Sequence, residues 1–249
     1  MPEQLTSKTT IVVGASRGLG YGIAKAFAQA DAPVIAVSRS AAPIDELTDG
    51  AGTIKPEIAD AADATVAGSL IDRYDPENLI LVAGASPLMR PLQHQTWETF
   101  STNWHTDVRI AFHWLREALL KPLRPGSRVV VISSGGAIAG SPLSGGYAGA
   151  KATQRFIASY AQEESQRAGL DISFATVLPR ITPATTLGRA AAQAYAERSG
   201  QSEEAFIQQM GTPLSPEVAG TALVELVQAE APTIAPAFLL TGDGLQKLP

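Results

Sequence analysis

Short runs of β-branched and other apolar residues recur along the chain. They alternate with longer stretches whose apolar positions return every three to four residues. Thr9–Val13, Pro33–Ser38, Thr53–Pro56, Asn78–Ala83, Arg128–Ser133 and Asp171–Val177 read as strands, with a late one at Ala237–Thr241. The intervening stretches, such as the one carrying Ile23 and Phe27, read as amphipathic helices. Strands like LILVAG are apolar throughout, as in a sheet covered on both faces. Regular strand–helix alternation predicts parallel strands with helices on either side. The expected architecture is a doubly wound α/β sheet of about seven parallel strands in a single domain, residues 1–249. One stretch breaks the rhythm: residues 181–216 contain no strand candidate and are rich in Ala, Gln and Glu, so they are expected to be a lid over a binding site.

Composition narrows the chemistry. With 45% apolar and 17% charged residues the chain can bury a sizeable core. The absence of cysteine excludes disulfides, thiolate metal sites and a thiol nucleophile. Three histidines, His94, His105 and His113, are too few to expect a histidine-built metal site, so no metal is expected. A net charge of −5 argues against a nucleic-acid partner. Met1–Thr10 lacks the basic-then-apolar layout of a secretory signal, and no run of about 18 apolar residues predicts a membrane span. A cytoplasmic protein with no membrane partner is expected.

The 22 glycines matter through their placement. Directly after the first strand comes Gly14-Ala15-Ser16-Arg17-Gly18-Leu19-Gly20, and a helix follows. Such a turn aims backbone N–H groups and a helix N-terminus at a phosphate. Its spacing is GxxxGxG, neither GxGxxG nor a P-loop. Gly14, Ser16 and Gly18 also satisfy the GxSxG elbow of α/β-hydrolases, but that triad needs a histidine late in the chain and the last one here is His113. About twenty residues on, where a carboxylate would bind the ribose 2′-hydroxyl of NAD, the chain has Ser38 and Arg39. Arg39, with Arg17 in the loop, suits a 2′-phosphate, so NADP is expected and NAD is the less favoured cofactor.

Tyr147 and Lys151 stand four apart at the start of a helical stretch and so share a face. A phenol titrates too high for acid–base work at neutral pH, and a neighbouring ammonium favours its ionised form. Ser134 follows the strand VVVIS, at the strand ends where α/β sheets bind ligands.

Together, GASRGLG after the first strand, ISS before the next loop and Tyr147-xxx-Lys151 resemble the short-chain dehydrogenase/reductase family over essentially the whole chain. The resemblance implies a Rossmann-type fold, a nicotinamide cofactor and hydride transfer to or from the carbonyl or alcohol carbon of a small-molecule substrate; with Arg17 and Arg39 the cofactor expected is NADP(H). By position, Tyr147 would be the general acid/base. Lys151 would bind the nicotinamide ribose and assist Tyr147, and Ser134 would orient the substrate oxygen. Gly14, Ser16, Arg17, Gly18, Leu19 and Gly20 would cradle the pyrophosphate, with Ser38 and Arg39 on the ribose and Asp60 on adenine. Ala83, Gly84, Pro179 and Ile181 would flank the cofactor. The helix asparagine completing the family's proton relay corresponds to Asp107, or to Asn103 one turn earlier if the register slips.

Several positions depart from the family pattern. Val13 replaces a threonine, Val82 an asparagine and Arg180 a glycine, and Asp107 adds negative charge beside the tyrosine. These departures motivate an alternative: an NADP-binding sensor or scaffold with weak or no turnover. Trp97, Phe100, Trp104 and Trp114 crowd one helical region, as a core or a subunit contact, and the family suggests a homodimer or homotetramer. Phe206 and Met210 are candidates for an apolar substrate wall.

Overall fold

The computed structural model describes residues 5–40, 54–230 and 236–248. Strand β1 (Thr10–Val13) leads through helix α1 (Gly18–Gln29) to β2 (Val34–Ser38). β3 (Ile54–Ile58) leads through α2 (Ala64–Tyr74) to β4 (Asn78–Leu81). Next come α3 (Trp97–Asn103), a π-turn (Trp104–Val108), α4 (Arg109–Leu120), β5 (Arg128–Ile132), a short α5 (Gly136–Ala139) and the long α6 (Gly145–Ala168). The chain continues through β6 (Ser173–Pro179), α7 (Thr186–Arg198), α8 (Glu203–Gln209), α9 (Pro216–Gln228), β7 (Ala237–Thr241) and β8 (Gly244–Leu248).

The strands form one sheet in the order β3-β2-β1-β4-β5-β6-β7-β8. β1 to β7 pair in parallel, as their apolar runs predict. The strand count differs from the expected seven: β8 folds back antiparallel on β7, with Thr241 opposite Gly244. Its sequence GLQKL is a partly polar edge strand and carries little of the hydrophobic signal used to find the others. β3 is also an edge strand, which explains how it tolerates Pro56 and runs on to Ile58. Thr53, its expected start, lies outside the described residues.

Side chains alternate between two cores because successive strand residues face opposite ways. On one face Val12, Ile80, Val130 and Ile132 pack with Ile23 and Phe27 of α1 and Leu223 and Leu226 of α9. On the other, Val13, Leu79, Leu81, Val129 and Val131 pack with Leu70 and Ile71 of α2, Trp114 and Leu115 of α4 and Ala158 of α6. The sheet is therefore covered on both sides, the doubly wound arrangement of a Rossmann-type fold. No helix among the described residues is long and apolar enough to cross a membrane.

Two features of this frame position the site. The strand order reverses between β1 and β4, leaving a crevice beyond the C-terminal ends of the strands. Residues after β6 then fold as α7 and α8, with Thr185 and Ser202 capping their N-termini through side-chain bonds to Gly188 and Ala205.

Candidate active site

A cavity of about 890 Å³ runs along the C-terminal ends of the parallel strands. The residues nominated from the sequence for the cofactor or for chemistry line it, namely Gly14, Ser16 to Gly20, Ser38, Arg39, Asp60, Ala83, Gly84, Asp107, Ser134, Tyr147, Lys151, Pro179 and Ile181; the alternative relay residue Asn103 does not. Val82 and Arg180, two of the departures, line it too.

At the glycine turn the backbone is pressed close by design of the sequence. Gly14 and Gly18 take positive φ values of 95° and 55°, which side chains with a Cβ rarely adopt. A Cβ on Gly14 would also lie 2.6 Å from the nitrogen of Ala83 on the neighbouring strand's extension. α1 begins at Gly18 with no side-chain cap and no acidic residue in its first turn. Its leading N–H groups thus have no carboxylate or hydroxyl claiming them, which fits a phosphate. Beyond lie Arg17 and Arg39, both exposed, without an ion-pair partner among the described residues. The buried Ser38 hydroxyl donates to the Ser40 carbonyl. Asp60 stays exposed, its carboxylate accepting from Ala62 N at 3.0 Å.

Deeper in, α6 places Tyr147 and Lys151 on one face, with the Lys151 ammonium 5.5 Å from the centre of the Tyr147 ring. Lys151 is only 4% exposed. Its Nζ donates to Ile132 O at 3.3 Å and to Gln154 Oε1 at 3.0 Å, and lies 3.1 Å from Asp107 Oδ2. The last approach has the distance of an ion pair without the direction of a hydrogen bond. Burial pulls the ammonium down, but the Asp107 carboxylate and Tyr147 outweigh it and hold Lys151 above the usual lysine value. Asp107 is fully buried in the π-turn, with Oδ1 accepting from Ala85 N at 2.8 Å and from Asn103 Nδ2 at 3.2 Å. Asn103 also donates to Ala85 O at 2.7 Å. The two register candidates therefore divide the work: Asp107 reaches Lys151, and Asn103 braces Asp107. Gly84 makes room for this, since a Cβ there would lie 2.6 Å from Asp107 Oδ2.

Ser133 and Ser134 follow β5 with different fates. Ser133 is buried and donates to the Lys151 carbonyl at 2.7 Å, whereas Ser134 lines the cavity, its hydroxyl accepting from Gly136 N at 3.1 Å. Arg180 donates its backbone N–H to Leu240 O at 2.9 Å, so the chain leaves β6 still paired alongside β7. The far wall is apolar, built by Ile138, Leu187, Phe206 and Met210 with Tyr195 stacked on Phe206 at 6.1 Å. The Tyr195 and Ser141 hydroxyls are hydrogen-bonded, joining α7 to the loop before α6. The aromatic cluster splits: Trp114 is wholly buried and donates to Ala61 O at 3.1 Å, while Trp97 and Trp104 stand exposed. Sequence reasoning missed Gln154, Ser141 and Tyr195. For Gln154 a signal existed, a polar residue three after Lys151 on the same helical face.

A family model described as short chain dehydrogenase matches residues 8–196. A hydroxynaphthalene reductase-like protein of Metarhizium majus is 29% identical over 177 residues, covering 67% of this chain and 66% of that protein. The human L-xylulose reductase is 29% identical over 105 residues, covering 42% of this chain and 43% of its own length. The chain thus spans just under two thirds of the first relative and less than half of the second. Among solved structures, a short chain dehydrogenase from Mycobacterium avium superposes with a TM-score of 0.80 at 20% identity, covering 99% of this chain and 86% of that one. A candidate NAD(P) dependent gluconate 5-dehydrogenase from Beutenbergia cavernae, with NADP bound at low occupancy, superposes with a TM-score of 0.75 at 24% identity, covering 90% of each chain. These structures share the fold, and the family match extends over most of the sequence: the chain belongs to the short chain dehydrogenase family.

Proposed function

We propose that this protein is an NADP-dependent oxidoreductase acting on a small carbonyl or alcohol substrate, with Tyr147 as general acid/base. The observation that carries this reading is that one cavity joins the phosphate-fitting glycine turn and two exposed arginines to Ser134, Tyr147 and Lys151. The family's nicotinamide cofactor, when bound, supplies the hydride. The backbone of Gly14 to Gly20 would hold its pyrophosphate, Arg17 and Arg39 its 2′-phosphate, Ser38 the ribose and Asp60 the adenine. Ala83, Gly84, Pro179 and Ile181 would line its reactive half. Ser134 donates to the substrate oxygen and fixes it beside Tyr147, whose hydroxyl gives that oxygen a proton in reduction and takes it back in oxidation. Lys151 keeps a positive charge against the Tyr147 ring, and Asp107 holds that charge in place. One named relative is a reductase and the other is named reductase-like, which favours the reducing direction.

Residues 181–216 act as the lid of a one-domain protein, resting on the Tyr195–Ser141 contact and offering an apolar wall to the substrate. The chain assembles as a homodimer or homotetramer, a reading supported by Trp104, Phe112, Phe156 and Tyr160, which leave large apolar faces exposed. The enclosure of Lys151 by protein acceptors favours one rival, a sensor that binds NADPH without turning it over. A screen of NADPH oxidation across aldehydes, ketones and quinones separates the two. The enzyme oxidises NADPH with at least one class, and the sensor binds NADPH but oxidises it with none.

A further inference from the structure

A lysine ammonium has three N–H donors. Protein takes two of them, through Ile132 O and Gln154 Oε1, while Asp107 Oδ2 stands 3.1 Å away as a charge partner without hydrogen-bond direction, which leaves one N–H for a ligand. The two neighbouring hydroxyls of a ribose together call for two donors, so for both to be met one of these groups must yield. Ile132 O belongs to the backbone of β5 and cannot withdraw. Asp107 is charged, and its other oxygen is held by Ala85 N and Asn103 Nδ2. Gln154 is the neutral side chain of the three, 2% exposed, and can rotate. It is also a bridge, since its Nε2 donates at 2.9 Å to the Asp107 carbonyl in the π-turn, where the regular helix ladder is interrupted.

We propose that Gln154 is a positioning residue that holds the Lys151 ammonium in place and competes with the cofactor's ribose hydroxyls for it. This rests on the NADP reading of the same cavity. Gln154 then has opposite effects on the two halves of the reaction cycle. It fixes the charge against Tyr147, which speeds the chemical step, and it withholds a donor from the ribose, which weakens cofactor binding.

Two variants isolate the acceptor. Both Gln154→Leu and Gln154→Glu remove the donor to the Asp107 carbonyl, but only the second keeps, and charges, the acceptor on Lys151. Titrating NADPH by its fluorescence, Gln154→Leu should bind about threefold tighter and Gln154→Glu about tenfold weaker than the parent. Carbonyl reduction by Gln154→Leu should show kcat lowered about tenfold despite the tighter cofactor. If Gln154 only braces the π-turn, both variants shift NADPH affinity in the same direction, and that result overturns the proposal, as does affinity unchanged in both. Gln154→Met replaces Gln154→Leu if the latter does not fold. A parent protein that binds no NADPH overturns the cofactor reading as well, which distinguishes the two failures.

Discussion

The cations at the two ends of the cavity differ in kind. At the outer end Arg17 and Arg39 are exposed and have no ion-pair partner among the described residues. At the inner end Lys151 is buried and surrounded by protein acceptors. Exposed, unpaired arginines are suited to meet a charge that arrives with a ligand, and their pairing contributes chiefly to which ligand is chosen. A buried, paired lysine cannot be left without its partners at small cost, so its role is to hold charge at a fixed place. In the function proposed above, selectivity falls to the outer cations and chemistry to the inner one.

That division can be broken most severely at Asp107. Asp107→Leu leaves the Lys151 charge buried and unpaired and should destabilise the protein by about 3 kcal/mol, read by urea unfolding at neutral pH. The sign with pH follows from Lys151. Its folded value is held above the usual 10.5, so its contribution is intact at neutral pH and is lost only as pH rises through that elevated value. A loss of the same contribution near neutral pH would contradict the pairing. Ser134→Ala removes a donor to the substrate oxygen and should lower kcat about a hundredfold, with NADPH affinity within twofold of the parent. A parallel loss of NADPH affinity would move Ser134 from the chemistry to cofactor binding. At the outer end, Arg39→Asp should weaken NADPH about tenfold while leaving NADH unchanged or improved. Equal losses for both cofactors would remove the selectivity role. The smallest effect belongs to the lid: Tyr195→Phe loses the hydroxyl contact to Ser141 and should raise the KM for a carbonyl substrate about threefold at constant NADPH affinity.

The outer end was far more legible in the sequence than the inner one. A glycine turn after a strand states its purpose through local constraints, and Gly14 and Gly18 take the positive φ values that their residue type allows. Arg39 at the end of β2 is read from its distance along the chain alone. The Tyr147–Lys151 pair was equally plain, because four residues on a helix guarantee a shared face. Most of what surrounds Lys151 was not: Gln154 could be read from its spacing on α6, but Ile132 O comes from β5 and Asp107 from the π-turn, and no local pattern announces that they converge. Nor does the string WHTDV disclose a π-turn, on which the placement of Asp107 depends. The same limit explains Trp104 and Trp114, similar in sequence context yet one exposed and one sealed in the core. The edge strand β8 escaped for the opposite reason: its pairing is local, but its residues are too polar for the apolar pattern that reveals the buried strands.

In the mechanism proposed for this cavity, Tyr147 moves the proton while the rest of the lining binds the cofactor. That mechanism is tested most directly by measuring NADPH affinity and NADPH oxidation side by side in the parent and in Tyr147→Phe, with a carbonyl substrate that the parent reduces. The variant should bind NADPH within about twofold of the parent and oxidise it about a thousandfold more slowly. Turnover equal to the parent's would contradict the mechanism.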